Sequence, residues 1–177
     1  FGSKPDSDIS MATSKFPTKL NDAQLALSSI GQYDVAASPL QMAMVAAGIA
    51  NDGVLMEPYL TKSVRAANLQ TVWTHKDTPM STPMTRESAK QLQQMMVSVV
   101  NNGTGRNARI DGVTVGGKTG TAQTSPDKPP YAWFVGWSDK PKVAVAVFVE
   151  SSNTERSEIA GGRLGAPIAR DVIEALR

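Results

Sequence analysis

Apolar residues recur at helical spacing in several stretches of the chain, and the clearest stretch begins after Ser38. Ser38 is a favourable N-cap, Pro39 follows at the first helical position, and Gln41 lies three residues after the cap. Apolar side chains then surround the helix axis on nearly every side as far as Asn51. Because such a pattern is typical of a buried helix, the sequence predicts one over Pro39–Ala50.

Three further helices are predicted, with extended pieces between the second and the third helix of the chain. A short helix is expected at Asp22–Ser29, and a longer one runs from Thr85, its N-cap, to Asn101-Asn102-Gly103. The apolar positions of the longer helix are Ala89, Leu92, Met95, Met96, Val99 and Val100. The last helix follows Gly161-Gly162, and its apolar stripe contains Ile168, Ala169, Val172, Ile173 and Leu176. Residues 1–19 are rich in Ser, Pro, Asp and Lys and are expected to form a surface connection, and residues 70–74 a strand.

Three consecutive strands are predicted between the last two helices, at residues 113–124, residues 131–137 and Lys142–Val149. Short links join them, and short links require antiparallel pairing because a parallel neighbour needs a long crossover. Valines alternate with Ala144, Ala146 and Phe148 along the last strand, so both of its faces are apolar. The pattern predicts an α+β domain in which an antiparallel sheet is covered by helices on each side.

Length and composition exclude several classes of protein. The 177 residues suffice for one domain with one core, and the formal net charge of +2 comes without a dense basic cluster, so nucleic acid is not expected as a partner. The chain has no cysteine, which excludes disulfides and thiolate metal sites, and we expect neither a metal nor a cofactor. The apolar run at residues 143–149 is too short to span a bilayer, so any membrane anchor is expected outside this sequence.

The segment with the clearest candidate functional groups is Gly116-Gly117-Lys118-Thr119-Gly120-Thr121-Ala122-Gln123. Glycines weaken a strand and often mark a place where a ligand or another backbone comes close. Thr119 and Thr121 share one face of the strand because side chains alternate, and Lys118 lies beside them. A carboxylate could therefore meet a positive charge and two hydroxyl donors. On this chemistry alone, a glycine-rich edge strand with a solvated lysine remains an equal alternative.

The run Lys118-Thr119-Gly120-Thr121 resembles the Lys-Thr-Gly motif of penicillin-binding proteins and serine β-lactamases. Its flanks resemble those of peptidoglycan transpeptidases, in Ser29-Ile30-Gly31-Gln32, Ser38-Pro39-Leu40-Gln41-Met42-Ala43, Ala50-Asn51-Asp52-Gly53, Ala132-Trp133-Phe134-Val135-Gly136-Trp137, Gly161-Gly162 and Ala166-Pro167-Ile168. The chain is thus similar to the class B, monofunctional transpeptidases of cell elongation or division. Serine β-lactamases share the motif strand but not these long flanks.

The resemblance implies a penicillin-binding/serine β-lactamase-like fold and a serine-type D,D-transpeptidase that cross-links peptidoglycan in cell-wall synthesis. Lys118 would lie beside the catalytic serine, and the backbone N–H of Thr121 would donate to the oxyanion. Thr119 and Thr121 would bind the carboxylate of a D-Ala-D-Ala stem peptide or of a β-lactam. Gly120 would let the substrate backbone approach, and the stem peptide could pair with this strand.

The family also requires Ser-x-x-Lys and Ser-x-Asn motifs before Lys-Thr-Gly, and neither occurs before Lys118. Two formal matches follow it, Ser125-Pro126-Asp127-Lys128 and Ser151-Ser152-Asn153, in the wrong order and context. We therefore expect residues 1–177 to be the C-terminal part of a single transpeptidase domain, with the nucleophile upstream of Phe1. The expected partners are the upstream half of the domain, stem peptides, β-lactams, and a glycan polymerase or a division or elongation complex. The expected location is the extracytoplasmic side of the bacterial plasma membrane.

Three other interpretations compete with this one. Residues 112–119 match the P-loop pattern, with Glu150 as a possible acidic partner of Mg²⁺, but a polar loop precedes them and prolines follow. A Ser-His-Asp triad would depend on His75, the single histidine, which is expected as a solvated residue at a turn. A non-catalytic domain of the same fold that senses β-lactams or scaffolds partners remains open.

Overall fold

The structure, a computed structural model, describes residues 1–2, 12–123 and 127–177. Its helices are α1 (Asp22–Ser29), α2 (Pro39–Ala50), α3 (Arg86–Asn102) and α4 (Ala166–Ala175). Four short strands lie between α2 and α3, namely β1 (Leu55–Met56), β2 (Ser63–Arg65), β3 (Thr71–Thr74) and β4 (Pro79–Ser81). The long strands are β5 (Val115–Ala122), β6 (Tyr131–Asp139) and β7 (Lys142–Val149). Residues 3–11 of the predicted connection at the start of the chain lie outside the described residues, as do Ser125 and Pro126.

The caps predicted for α2 and α3 are confirmed. The Ser38 hydroxyl accepts a hydrogen bond from the backbone N–H of Gln41 at 3.2 Å, and the Thr85 hydroxyl accepts one from the N–H of Ser88 at 3.1 Å. Each bond satisfies one of the N–H groups that the first turn of a helix leaves unpaired. The burial predicted for α2 is confirmed chiefly from Met44 onward, where Met44, Ala46, Gly48 and Ile49 are buried.

Two of the predicted apolar stripes are wider than the surfaces they bury. In α3, Met95 is 59% exposed, whereas Ala89, Met96 and Val100 are buried. In α4, Ala169 and Ile173 are buried one turn apart, but Ile168, Val172 and Leu176 are exposed. Residues at i and i+4 stack on one side of a helix, and their sequence neighbours point about a quarter turn away. Three of the five residues in the apolar stripe of α4 are therefore exposed in this chain.

The main sheet has the order β5-β6-β7, and both neighbouring pairs are antiparallel, as predicted. Cross-strand partners share a face, so the register defines two faces. On the α4 face, Val115, Phe134, Val145 and Val147 form a buried cluster with residues of α4 and with Val100. On the α2 face, Trp137 packs with Ile49 of α2 and Met96 of α3. Helices therefore cover both faces, and the α+β prediction is confirmed.

A π-helical turn, Gly161–Gly165, packs directly on the sheet at the start of α4. A Cβ on Gly161 would lie far inside van der Waals contact of the carbonyl oxygen of Trp133, and 2.8 Å from that of Gly120. A Cβ on Gly162 would collide in the same way with the carbonyl oxygen of Thr104. Glycine is required at both positions because backbone lies directly on backbone.

An exposed ion pair joins the end of α2 to the start of α3. The Arg86 guanidinium donates to the Asp52 carboxylate from Nε at 2.9 Å and lies 2.7 Å away through Nη2. Nearby, the side-chain amide of Gln93 donates to the carbonyl of Ile49 at 2.7 Å. The hydrogen bond from Arg86 is the main reason that the pKa of Asp52 lies below its ordinary value.

The short strands form two antiparallel pairs, β1 with β4 and β2 with β3, with largely exposed side chains. The strand predicted at residues 70–74 is confirmed as β3. The prediction that His75 is a solvated turn residue is wrong, because its ring stacks on Tyr59 with 3.6 Å between ring centroids and is half-buried. In the part of the chain that the structure describes, no helix is long and apolar enough to cross a bilayer.

Replacing Gly161 by alanine is expected to destabilise the fold, because the added Cβ meets backbone atoms that no side-chain rotation can clear. Overpacking of this kind typically costs about 1–3 kcal/mol, and more where nothing can shift. The matched control is Gly48→Ala in α2, where a Cβ would meet Leu55 Cδ1 at an ordinary 3.6 Å. That variant should be neutral or more stable, since alanine favours helix by about 1 kcal/mol over glycine. Equal denaturant midpoints for the two variants would contradict the packing described here.

The Asp52–Arg86 pair predicts a pH-dependent contribution to stability. Since the pKa of Asp52 is lowered in the folded state, its stabilising effect is present above the ordinary value of 3.8 and is lost as the pH falls through the folded value. The stability difference between the wild type and Asp52→Asn should therefore shrink on acidification below pH 3.8. Thermal unfolding across the acid range measures it. In an Arg86→Gln background this pH dependence should become weaker, and an unchanged dependence would exclude Arg86 as its main cause.

Candidate functional site

The Lys-Thr-Gly segment forms the exposed half of β5. The first three residues of β5 are buried, whereas Lys118 and Thr121 are exposed and Thr119 and Gly120 are half-buried. Among the described residues no strand pairs with β5 on the side away from β6, which we call the free edge. The motif therefore lies on an accessible strand edge.

Backbone groups of Thr119 and Thr121 point to the free edge. The carbonyl of Thr114 accepts a hydrogen bond from the N–H of Asp139, at the end of β6, at 3.1 Å. Backbone groups alternate in direction along a strand, and the β5–β6 register continues without a bulge. Even-numbered residues of β5 therefore bond to β6, and odd-numbered residues direct their N–H and C=O groups outward. The N–H of Thr121 is thus available to a ligand, as an oxyanion donor must be.

The side chains of the motif divide between the two faces of the sheet. Thr119 and Thr121 lie on the α4 face, as expected, whereas Lys118 leaves the strand on the α2 face. The expectation that the lysine lies directly beside both hydroxyls is therefore wrong for the start of its side chain, which leaves the strand on the opposite face. Its long side chain returns to the free edge, where Nζ donates to the carbonyl oxygen of Thr119 at 2.6 Å. The ammonium group and the outward backbone groups consequently lie along one edge.

Thr104 belongs to this site although the sequence analysis did not identify it. Its Oγ1 lies 2.7 Å from Oγ1 of Thr119, a hydrogen bond in which either hydroxyl can be the donor. Thr104 lies in the loop after α3, where no hydrophobic period marks it. The available signal was its position between Gly103 and Gly105, since glycines also flank the motif on β5.

The other candidates are not part of this arrangement. Ser152 bonds to Thr154 at 2.6 Å in an exposed bend after β7, and Ser125 and Pro126 lie outside the described residues. The P-loop interpretation is wrong because Lys118 and Thr119 lie in mid-strand, whereas phosphate binding needs them at the N-terminus of a helix. Within residues 1–2, 12–123 and 127–177, no three His, Cys, Asp or Glu side chains are placed to hold a metal ion.

The chain also forms an open depression elsewhere, beside α4. It is lined by Arg109, Ile110, Asp111, Arg170, Glu174 and Arg177. None of these residues belongs to the motif. The chemistry of the site therefore lies on the exposed edge of β5, where it can accept an extended chain carrying a carboxylate.

This geometry agrees with comparisons to known proteins. A sequence model of the penicillin binding protein transpeptidase domain matches residues 1–174. The chain therefore belongs to the penicillin-binding protein transpeptidase domain family.

Individual relatives resemble the chain closely. It is 40% identical to the peptidoglycan D,D-transpeptidase PbpA of Mycolicibacterium smegmatis over 176 residues, which cover 97% of this chain and 35% of the relative. It is 29% identical to stage V sporulation protein D of Bacillus subtilis over 161 residues, covering 88% of this chain and 25% of that protein. Penicillin-binding protein A of Mycobacterium tuberculosis, solved as a ceftriaxone acyl-enzyme complex, superposes with a TM-score of 0.85 at 38% identity. That match covers 93% of this chain and 38% of the other.

The chain spans about a third of the length of the first of these relatives. It lacks the Ser-x-x-Lys and Ser-x-Asn motifs before Lys118 that the family resemblance requires. The part of the family's motif set that these residues contain is Lys118-Thr119-Gly120-Thr121 on β5.

Proposed function

We propose that the protein containing this chain is a peptidoglycan D,D-transpeptidase that β-lactams acylate. The observation that carries the proposal is the exposed half of β5, where the Lys118 ammonium group and the outward N–H of Thr121 lie along the free edge. The Thr119 and Thr121 hydroxyls lie on the adjoining α4 face. The names of the relatives support the reaction, and the acyl-enzyme complexes of penicillin-binding protein A support β-lactam binding. The substrate is a stem peptide ending in D-Ala-D-Ala.

The residues of the motif divide the work of binding and charge stabilisation. The Thr119 and Thr121 hydroxyls donate to the terminal carboxylate, and Lys118 supplies the positive charge beside it. The substrate backbone lies along the free edge of β5 as an added strand, with Gly120 allowing close approach. The N–H of Thr121 donates to the carbonyl oxygen, which becomes negative when the nucleophile attacks.

The reaction itself proceeds through an acyl-serine. A serine from a Ser-x-x-Lys segment outside these 177 residues attacks the penultimate D-Ala carbonyl, and its proton passes to the departing nitrogen of the terminal D-alanine. An amine of a neighbouring stem peptide then attacks the ester, forming the cross-link and returning the proton to the serine. Two easier steps replace one difficult step. With a β-lactam the ring amide opens instead, and the acyl group remains on the serine.

We further propose that residues 1–177 are one part of a single transpeptidase domain and that another segment of the same protein completes it. The share of the relatives that the chain matches supports this division. Exposed apolar side chains of the first helix and the loop after it also support it, at Leu25, Leu27, Ile30 and Tyr33. Packing of another segment against these groups would remove apolar surface from water, which is favourable.

The substrate determines where the enzyme works. Peptidoglycan lies outside the plasma membrane, so the site functions on the extracytoplasmic side, with any anchor supplied by another part of the protein. A glycan polymerase or a division or elongation complex is the partner that would provide the strands to be cross-linked.

Replacing Lys118 by alanine in the full-length protein is expected to slow acylation by a fluorescent penicillin by about 10²–10³-fold, the usual effect of losing one transition-state contact. The melting temperature should change little because the side chain is exposed. The matched control is Lys142→Ala, another exposed lysine, at the start of β7, which should acylate at the wild-type rate. Wild-type acylation kinetics in Lys118→Ala would overturn the assignment of the site.

A further inference from the structure

We propose that Thr104 is a positioning residue of the carboxylate site: its hydroxyl donates to Oγ1 of Thr119 and so directs the Thr119 proton to the substrate carboxylate. The inference rests on the proposed function and adds a residue from outside the motif to it. It starts from the 2.7 Å contact between the two hydroxyl oxygens.

Counting protons determines the direction of this hydrogen bond when a ligand is bound. Each threonine hydroxyl has one proton to donate and lone pairs that accept. A carboxylate can only accept, so Thr119 must use its single proton for the ligand. The Thr104–Thr119 bond then persists only if Thr104 is the donor. Donation into Thr119 also polarises its O–H bond and strengthens its own donation, because hydrogen bonds in a chain reinforce one another.

The fold holds Thr104 in place from two sides. At the end of α3, the N–H groups of Gly103 and Gly105 both donate to the carbonyl of Val99 at 3.0 Å, which fixes the backbone around Thr104. On the other side, the Thr104 carbonyl lies so close to Gly162 that no Cβ fits there.

A second hydrogen bond ties the same loop to the turn before α4. The Asn107 side-chain amide donates to the carbonyl of Gly162 at 2.8 Å. The Thr104 hydroxyl is therefore presented to β5 by packed backbone. A freely moving exposed loop would not fix its orientation in this way.

A hydroxyl in this position affects the affinity for the ligand and does not change the rate of acylation once the ligand is bound. Without Thr104, the Thr119 hydroxyl keeps its proton but loses the partner that orients it. The loss is confined to ligands with a free carboxylate, because an ester offers a weaker acceptor and no negative charge. A defect caused by disturbed folding would instead affect every ligand.

The test measures acylation of the full-length protein by benzylpenicillin and by its methyl ester. For Thr104→Val we expect the benzylpenicillin concentration at half-maximal acylation rate to rise by about 3- to 10-fold, the effect of one neutral hydrogen bond. The rate at saturation and the kinetics with the methyl ester should stay as in the wild type. Thr104→Ser, which keeps the hydroxyl, should restore the wild-type concentration dependence.

Two further variants give the controls. In a Thr119→Val background, Thr104→Val should have no further effect, because the two residues act through one hydrogen bond. Thr114→Val, at an exposed threonine just before β5, should behave as the wild type. The role of Thr104 would be overturned if the two substitutions had independent effects that multiply in the double variant, or if Thr104→Val slowed acylation by the ester equally. It would also be overturned if Thr104→Ser failed to restore the wild-type kinetics, or if the kinetics of Thr104→Val were unchanged.

Failure of the proposed function would look different. A wild-type protein that forms no covalent adduct with benzylpenicillin would contradict the transpeptidase proposal, and the inference about Thr104 would fall with it. A wild-type protein that is acylated normally while Thr104→Val is acylated equally well contradicts the inference alone.

Discussion

The close packing of backbone on backbone at the end of β5 is the constraint on which the site depends. The Gly161–Gly165 turn lies against the carbonyls of Gly120 and Trp133, and Gly162 lies against that of Thr104. These contacts bring the start of α4, the loop after α3 and the motif strand together without side chains between them. Interiors packed this closely transmit small displacements instead of absorbing them. The position of the hydroxyls on β5 therefore depends on glycines that are distant in sequence, Gly161 and Gly162.

The free edge of β5 combines two properties that rarely coexist. Its first half is buried between layers, so the strand is held rigidly, while its second half is exposed and offers unpaired backbone groups. Exposed edges are usually blunted because they attract other strands. Here Lys118 lies along the edge through its bond to the Thr119 carbonyl. A rigid strand with an open edge suits the recognition of a peptide end.

Sequence alone predicted the elements that depend on local signals. The Ser38-Pro39 start of α2, the Thr85 cap of α3 and the apolar alternation of β7 determine those elements through neighbouring residues, and the structure confirms them. The motif could also be recognised from the sequence, because its glycines and threonines lie together in the chain. Thr104 could not be recognised in this way, since its contact with Thr119 arises only when the loop and the strand fold together. The exposure of Met95 could not be predicted either, because it depends on which side of α3 packs against the rest of the fold.

In the proposed function, the exposed half of β5 binds the ligand carboxylate and the oxyanion. A crystal structure of the full-length protein acylated by benzylpenicillin tests it most directly. We expect the ligand carboxylate to lie within hydrogen-bonding distance of the Thr119 and Thr121 hydroxyls, and the ester carbonyl oxygen to accept a hydrogen bond from the N–H of Thr121. An acyl group whose carboxylate and carbonyl oxygen contact none of these atoms would contradict it.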